Sequence, residues 1–385
     1  MLTALTLISL AAWIYLIFFH SGFWRADQRL PQTHVPLATW PVVTALVPAR
    51  NEAPSIAACV GALTAQNYKG AFKVIVIDDA STDGTGDIAR QFPCEVISAP
   101  PLQEGWTGKL SALNAGVARA GNKAEFIWLT DADIVHAPDT LARLVAKAQS
   151  DNRDLVSLMV KLRCVTLWER LLIPAFVFFF QMLYPFRAAN DDRSAMAAAA
   201  GGCVLLRRAA LERAGGIAAI RGAVIDDCTL ARAVKRSGGK IWLGLADASY
   251  SLREAPDLET LWSMVRRTAF TQLRYSAVIL AGTLLALAVI FLWPPIVVFT
   301  YPWHGSGWLA LGGLAAWLGM TAIYAPTLRD FGRSPWRGLL LPVAAALYAA
   351  MTFDSGVAHW RHRGAQWKGR YYGPSAAPQN LPKSP

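Results

Sequence analysis

Two aspartates separated by one residue, Asp131 and Asp133, follow the short apolar run Phe126–Leu129. Carboxylates hold Mg²⁺ in proteins together with substrate phosphates, so this pair is a candidate site for a divalent cation. Strand alternation alone would send the two side chains to opposite faces, so the chain must turn if both are to bind one ion. An isolated Asp-x-Asp is also typical of a structural turn, and both interpretations stay open at this point.

Polar side chains follow other apolar runs in the first third of the chain, after Val42–Val47 and after Val74–Ile77. In parallel sheets, ligands bind in the crevice outside the carboxyl ends of the strands. These side chains are therefore predicted to gather over one crevice. They are Arg50, Asn51, Glu52, Asp78, Asp79, Asp131 and Asp133.

Strand-like and helix-like runs alternate from residue 42 onward, which predicts an α/β domain. Because the strand-like runs are wholly apolar, we expect a largely parallel sheet with helices on both faces. No glycine-rich dinucleotide or P-loop signature is present. The predicted strands are Val42–Val47, Val74–Ile77, Glu95–Ser98 and Phe126–Leu129, and the predicted helices are Ser55–Ala65, Gly84–Gln91 (capped by Asp83) and Leu110–Ala120.

The composition places this domain in a membrane protein. Of 385 residues, 54% are hydrophobic and only 16% are charged, against about 25% charged in a typical soluble protein. Charged residues are absent from Met1–Trp24 and from Tyr275–Leu328. This pattern excludes a disordered chain, a coiled coil and an ordinary soluble enzyme. The net charge of +11 is scattered rather than gathered in a stripe, so a nucleic-acid partner is not expected.

Residues 1–24 are interpreted as an uncleaved transmembrane anchor, because the bases Arg25 and Arg29 follow the apolar run instead of preceding it as in a signal peptide. The positive-inside tendency then places residues 40–275 in the cytosol. The five cysteines form no CxxC pair, in agreement with a reducing compartment. We therefore expect a multi-pass protein of a bacterial-type inner membrane.

Residues 276–358 contain three apolar stretches, the first of which is expected to break at Pro294-Pro295. A basic loop separates the second stretch from the third, and residues 359–385 form a basic tail. Three full spans would place that tail outside, against the positive-inside tendency, so either one stretch re-enters or the tendency fails here. The stretches are Ala277–Trp293, Trp308–Leu328 and Gly338–Phe353.

A separate uncharged segment, Leu171–Phe186 within residues 165–187, is aromatic-rich, contains two prolines and is short for a span. One interpretation is an interfacial segment that forms one wall of a slot for an apolar acceptor, where Phe178, Phe179 and Phe180 would contact the lipid. The alternative is a buried core helix.

Several motifs together resemble the family 2 glycosyltransferases of the GT-A fold. In order, they are VPARNE (47–52), VIDDASTDGT (76–85), GWTGKLSALNAG (105–116), TDAD (130–133), Gly201-Gly202-Cys203, IDDCTLARAVKRSGGK (225–240) and RRTAFTQLRY (266–275). The resemblance covers about residues 40–275. Over the whole chain, including residues 158–187 and the membrane tail, the sequence is similar to the hopanoid-associated glycosyltransferases.

This resemblance implies an inverting enzyme that transfers one sugar from a UDP-sugar to a lipid, with a hopanoid as the candidate acceptor. Asp227 would be the catalytic base, with Asp226 beside it, and Asp131 and Asp133 would hold Mg²⁺ or Mn²⁺ against the diphosphate. Asp79 would read the uracil, and Lys109 would meet the diphosphate. The implied donor-binding residues are Pro48, Ala49, Arg50, Glu52, Asp78, Asp79, Lys109, Asp131 and Arg274.

The chain departs from the family pattern at residues 271–275, where Arg274-Tyr275 replaces Arg-Trp and Gln272 lies one position late. Because processive synthases use that motif to grip the growing chain, its loss favours transfer of a single sugar. Two alternatives remain: a polyprenyl phosphate acceptor, and a catalytically silent binder of sugar nucleotide or lipid. A phosphate acceptor would need a cationic pocket, for which the candidates are Arg187, Arg193, Arg207 and Arg208. Trp367-Lys368-Gly369-Arg370-Tyr371 resembles a closing motif of related lipid glycosyltransferases and receives no chemical role.

Overall fold

The computed structural model describes residues 1–32, 39–361, 365–367 and 370–372. The chain forms two compact units. The first, called the α/β unit here, contains Asp27–Arg163 and Ala189–Glu254, and the second, the helical unit, contains Met1–Ala26, Cys164–Ala188 and Ala255–Gln366. The range 40–275 predicted as one domain is thus shared between the two units.

The α/β unit is built on one eight-stranded sheet, with strand order β3-β2-β1-β4-β7-β6-β8-β5. Strands β1 to β4 pair in parallel, as do β6 and β8, while β7 and β5 pair antiparallel with their neighbours. The strands are β1 (Val43–Ala49), β2 (Phe72–Asp78), β3 (Glu95–Ser98), β4 (Phe126–Leu129), β5 (Ile134–Val135), β6 (Leu155–Lys161), β7 (Val204–Arg207) and β8 (Ile241–Ser251).

The α-helices follow the same chain order. They are α1 (Leu2–Phe18), α2 (Ala53–Thr64), α3 (Thr85–Ala89), α4 (Gly108–Ala120), α5 (Thr140–Ser150), α6 (Leu167–Leu183), α7 (Phe186–Asn190), α8 (Arg208–Arg213), α9 (Asp226–Arg236), α10 (Leu258–Gln272), α11 (Ala277–Leu287), α12 (Trp293–Phe299), α13 (Tyr301–His304), α14 (Gly307–Asp330) and α15 (Leu341–Trp360). Two 3₁₀ turns (Ile217–Ile220 and Pro335–Leu340), a π-turn (Ala288–Leu292) and the short strands β9 (Ala365–Trp367) and β10 (Arg370–Tyr372) complete the described chain.

Helices cover both faces of the sheet, as the apolar strands predicted. Along β1, Val43, Ala45 and Val47 join a core that includes α2 and α5, whereas Leu46 joins a second core that includes α4 and α9. This alternation is the period-two geometry of a strand buried on both sides. It leaves the ends of the strands as the place where polar side chains can collect.

Within its described residues, the helical unit contains three helical segments long and apolar enough to cross a membrane: Ala277–Phe299, Gly307–Asp330 and Pro335–Trp360. The N-terminal α1 is shorter, at 17 residues. The break expected at Pro294-Pro295 was wrong, because the helix continues through the π-turn Ala288–Leu292 into α12. Proline cannot donate an N–H, and a wider turn before it accommodates that loss without ending the helix.

The aromatic segment around Leu171–Phe186 is largely the helix α6, closed at its start by a reciprocal capping box between Thr166 and Glu169. Phe178 is fully buried and packs edge-on against Tyr324 of α14. For this side chain the structure favours the core-helix alternative, whereas Phe179 and Phe180 are only half-buried. Most of the basic tail, including Lys368 and Gly369 of the closing motif, lies outside the described residues.

Candidate active site

The loops after β1 and β2 are joined by side-chain hydrogen bonds at the carboxyl end of the sheet. Arg50 donates to the carbonyl of Asp79, and the backbone N–H of Asn51 donates to Ser81. Asn51 in turn accepts from the backbone N–H of Thr82 at 2.9 Å. These bonds hold the two loops, both predicted to bind the donor, against each other. Pro48 lines the adjacent cleft.

The two aspartates at the end of β2 have different surroundings. Asp78 accepts a hydrogen bond from the backbone N–H of Ser81 at 3.0 Å and so closes the turn that follows the strand. Asp79 is 5% exposed, and its backbone N–H bonds to Ala49 of the neighbouring strand. Asp78 therefore serves the turn after β2, while Asp79, which the resemblance implies would read the uracil, is buried.

Lys109 connects the two groups of carboxylates that the sequence placed far apart. Its ammonium lies 2.8 Å from Oδ1 of Asp131, at the end of β4, and 3.1 Å from Oδ2 of Asp226, at the start of α9. Lys109 itself stands in the first turn of α4, where Thr107 caps the helix. A cation is unfavourable at a helix N-terminus, so these two carboxylates offset an unfavourable placement.

Lys109 is the cation that pairs with the acidic cluster of Asp131 and Asp226. Burial alone would lower the pKa of its ammonium, but Asp131 and Asp226 outweigh burial and raise that pKa above its usual range. The prediction from sequence had assigned Lys109 to the diphosphate alone. The structure adds that Lys109 also compensates the charge of the acidic cluster.

Asp226 and Asp227 are the first two residues of α9, where the helix dipole favours negative charge. Asp227 accepts two backbone hydrogen bonds, from Gly201 at 2.8 Å and from Cys228 at 2.7 Å. A side chain at position 201 would approach both Asp227 and Lys109 at 3.4 Å. These are ordinary van der Waals distances, so the orienting contact at this position is the hydrogen bond from the Gly201 backbone N–H.

Asp227 differs from an ordinary aspartate in its pKa. Burial, and then the neighbouring Asp226 carboxylate, raise the pKa of Asp227 to about 6, while Lys109 and the two N–H bonds oppose the rise. A base is most effective when its pKa lies near the working pH, because it is then ionised and still accepts a proton readily. Asp226 and Asp227 line the same cleft as Pro48, Lys109 and Asp131.

Asp133 is 6% exposed and belongs to a different network from Asp131. Its Oδ2 accepts hydrogen bonds from Ser251 at 2.7 Å and from Nε of Arg253 at 3.1 Å. Arg253 also reaches Glu52 at 3.0 Å. One half-exposed guanidinium thus links two residues predicted from sequence to bind the donor or the metal.

The carboxylates suit a metal that also binds the substrate. Among the described residues, no group of three or more His, Cys, Asp or Glu side chains is arranged to hold an ion. Mg²⁺ is usually held by one or two carboxylates with substrate phosphates completing its shell. Asp131 is partly exposed, and both hydrogen bonds to the Asp133 carboxylate fall on Oδ2. In number and chemistry, these two carboxylates match the protein ligands expected for a metal that a diphosphate also binds.

Sequence reasoning missed Arg253 and His136. The buried imidazole of His136 bonds to Thr130 at 2.8 Å and to Ser249 at 2.9 Å, and Thr130 donates to the carbonyl of Gly202. Burial lowers the pKa of His136 to about 3, so the ring is neutral and positions the loop after β4. Neither residue carries a local signal, because each depends on partners that are remote in sequence.

The other predicted cations have varied surroundings. Arg274 belongs to the helical unit and follows α10 with a left-handed backbone, φ 54°. Arg207 pairs with Glu125 at 2.9 Å, Arg208 donates to the carbonyls of Ala124 and Val117, and Arg193 is almost fully exposed beside Asp191. Arg187 belongs to the helical unit.

The sheet order and the carboxylates at its strand ends define a GT-A-type α/β domain. Residues 44–215 match the family described as Glycosyl transferase family 2. The matched segment contains the motifs from VPARNE (47–52) to Gly201-Gly202-Cys203, in agreement with the resemblance found in the sequence.

Individual relatives support the same class. The glycosyltransferase AglE of Haloferax volcanii is 32% identical over 121 residues, which are 31% of this chain. An N-acetylglucosaminyltransferase of Mesorhizobium japonicum is 28% identical over 186 residues, 45% of this chain. The matches span 39% and 41% of the lengths of these two relatives.

A solved structure resembles most of the chain. The mannosyltransferase of Pyrobaculum calidifontis, solved with GDP-Man and Mn²⁺, superposes with a TM-score of 0.56 over 93% of this chain and 99% of its own. The two sequences are 20% identical, so this likeness concerns the fold.

Proposed function

We propose that this protein is a membrane-bound inverting glycosyltransferase that moves one sugar from a UDP-sugar to the hydroxyl of a lipid at the cytosolic leaflet. The observation that carries the proposal is the bridge made by Lys109 between Asp131 and Asp226. It joins the carboxylate assigned to the donor diphosphate to the pair assigned to the acceptor hydroxyl. Both halves of a transfer reaction therefore have residues in one cleft.

In this mechanism Asp227 accepts the proton of the acceptor hydroxyl while the acceptor oxygen forms a bond to the anomeric carbon. The bond from that carbon to UDP breaks on the opposite face, which inverts the configuration. The backbone N–H groups of Gly201 and Cys228 orient the Asp227 carboxylate for this task. Positioned general bases typically contribute about 10²–10⁴ in rate.

Asp131 and Asp133 would hold Mg²⁺ or Mn²⁺, which supplies Lewis-acid neutralisation of the charge that develops on UDP. Asp79 would accept the imide N–H of uracil, since a carboxylate only accepts hydrogen bonds. Pro48 and Ala49 would form the wall of the nucleotide pocket, and Arg50 would support the Asp79 loop. Once the diphosphate is bound, Lys109 would share its charge with the phosphate oxygens.

The acceptor is proposed to be a lipid because the domain is attached to three helical segments of span length. From the resemblance noted in the sequence, we propose a hopanoid as the acceptor to test first. If the acceptor were instead a polyprenyl phosphate, the protein would need a cationic pocket for the phosphate of the acceptor. Arg207 and Arg208, two of the four candidates for that pocket, are already bound to a carboxylate and to backbone carbonyls.

The direct test is release of UDP or GDP by the purified protein from a panel of UDP-sugars and GDP-sugars, with and without hopanoid lipid. We expect one UDP-sugar to give release that depends on the lipid. A catalytically silent binder would bind nucleotide without releasing UDP under any of these conditions. A GDP-sugar that reacts in place of every UDP-sugar would contradict the assignment of the nucleotide.

The pH dependence of the reaction follows from Asp227, whose pKa is raised to about 6. The base must be ionised to accept a proton, so kcat/KM should fall as the pH decreases through about 6 and level off above it. Lys109 opposes the rise in this pKa, so Lys109→Met should move the midpoint to higher pH. A midpoint that stays in place in Lys109→Met would contradict this assignment, and the exposed Lys73→Met is the control.

Arg253 is expected to support donor binding by neutralising Glu52 and Asp133. Arg253→Gln leaves two carboxylates uncompensated beside the site proposed for the diphosphate, so KM for the donor should rise roughly tenfold, which corresponds to about 1.4 kcal/mol. Steady-state kinetics with a varied donor concentration measures the change. Arg90→Gln, which removes an exposed arginine paired with Asp87, should leave this KM unaltered.

A further inference from the structure

The helical unit contains a groove of about 140 Å³ to whose residues the proposed mechanism assigns no role. Its floor is made by buried side chains of α14 and α15, namely Tyr324, Leu328, Leu341 and Ala344. Arg170 of α6 and Arg337 of the 3₁₀ turn also line it. An apolar cavity of this size accommodates one benzene ring, so a short part of an acyl chain would fit.

The charge of the groove is wholly positive. Two guanidinium groups and no carboxylate line it. Nε of Arg170 is buried and has no hydrogen-bond partner among the described residues. The carboxylate of the adjacent Glu169 accepts backbone N–H bonds from Val165, Thr166 and Ala255, and this residue does not line the groove. The groove is therefore complementary to an anion with an apolar body.

The position of the groove along the candidate spans indicates the source of such an anion. Leu328 is close to the end of the span Gly307–Asp330, and Arg337 is close to the start of the span Pro335–Trp360. The groove thus lies where both spans reach the edge of their apolar length. The link between them is basic, which favours the cytosolic side, and Trp336 is 73% exposed there, as is typical of residues at a membrane interface.

We propose that this groove binds one anionic phospholipid of the surrounding cytosolic leaflet. Arg170 and Arg337 hold its phosphate, since guanidinium groups bind phosphate oxygens in pairs. The first part of an acyl chain covers the apolar floor. Basic pockets between transmembrane helices on the cytosolic side bind anionic headgroups in this way. The site rests on the proposed membrane placement but not on the proposed chemistry.

The test is native mass spectrometry of the purified full-length protein in detergent, titrated with phosphatidylglycerol or phosphatidylcholine of the same acyl chains. The wild type should retain one phosphatidylglycerol with at least about tenfold preference over phosphatidylcholine. Arg170→Gln and Arg337→Gln should each weaken that binding about tenfold, because each removes charge-assisted bonds to phosphate. Arg337 is exposed, so its substitution should leave folding intact.

The matched control is Arg329→Gln, an exposed arginine in the last turn of α14 that does not line the groove. Equal weakening by Arg329→Gln would reduce the effect to general surface charge and overturn the site. Equal binding of the two lipids, or unchanged binding in both groove variants, would also overturn it. Because no sugar donor is present, failure here leaves the proposed transfer reaction intact, and failure of the transfer leaves this assay interpretable.

Discussion

Asp227→Asn is expected to lower kcat by about 10²–10⁴, the usual contribution of a positioned general base. The asparagine keeps the size of the side chain and can still accept one backbone hydrogen bond, from Gly201 or Cys228. Binding of the UDP-sugar should therefore change little. Single-turnover kinetics with saturating donor, together with calorimetric measurement of donor binding, separates the two effects.

Two further variants test whether the loss of kcat is specific to Asp227. Asp87→Asn removes a mostly exposed carboxylate from the first turn of another helix, α3, and should leave kcat intact. Asp226→Asn should be milder than Asp227→Asn, because Asp226 bonds to Lys109 whereas Asp227 has the raised pKa. If Asp226→Asn removed activity and Asp227→Asn did not, the two roles would have to be exchanged.

Asp131→Asn is expected to reduce kcat/KM by about 10²-fold or more, because Lewis-acid stabilisation by a bound metal contributes several kcal/mol. Activity should also require added Mg²⁺ or Mn²⁺ and should stop in excess EDTA. Raising the metal concentration should recover part of the activity of Asp131→Asn, since the metal would still be held by Asp133 and the diphosphate. A metal titration of the initial rate for each variant measures this.

The control for the metal prediction is Asp139→Asn, which changes an exposed aspartate just before α5 and should behave as the wild type. Asp133→Asn should also weaken the metal dependence, and it additionally leaves Arg253 with Glu52 alone. Full turnover in EDTA, with no response of either aspartate variant to metal, would remove the metal from the mechanism.

Much of the sheet could be predicted because its strands are short apolar runs with polar ends. The predicted bounds of Glu95–Ser98 and Phe126–Leu129 agree with the structure, and those of β1 and β2 differ by only one or two residues. Asp83 was expected to cap α3, but Gly84 stands at the cap with φ 85°, and Asp83 instead accepts from the backbone of Thr85 and Ala53. The contact between Asp83 and Ala53 joins residues that are remote in sequence, so local propensity does not predict it.

The candidate site was only partly predictable. Sequence order located the carboxylates at strand ends, and the family motifs identified Asp227, but neither could show that Lys109 connects Asp131 to Asp226. That contact depends on how α4 and α9 pack on one face of the sheet. Arg253 follows β8, a strand that no sequence pattern had marked, and its pairing with Glu52 arises only in the folded chain. Long-range ion pairs of this kind leave no local periodicity.

In the membrane region, composition located the apolar stretches but did not predict the geometry of the helices. Its apolar stretches were evident from the missing charges, yet the effect of Pro294 and Pro295 depended on backbone geometry. A π-turn before the prolines allows one helix of 23 residues where a break was expected. For α6, composition alone did not distinguish a lipid-facing segment from a buried core helix, because aromatic residues are common in both. The burial of Phe178 against Tyr324 distinguishes them for that side chain.

The most direct test of the central claim is transfer of radiolabelled sugar from a UDP-sugar into organic-extractable lipid by membranes that contain this protein. We expect label in the organic phase with the wild type and almost none with Asp227→Asn, and we expect the product to resist mild acid as a glycoside does. An acid-labile product would indicate a polyprenyl phosphate acceptor instead. Label that stays in the aqueous phase, or equal labelling by Asp227→Asn, would contradict the account.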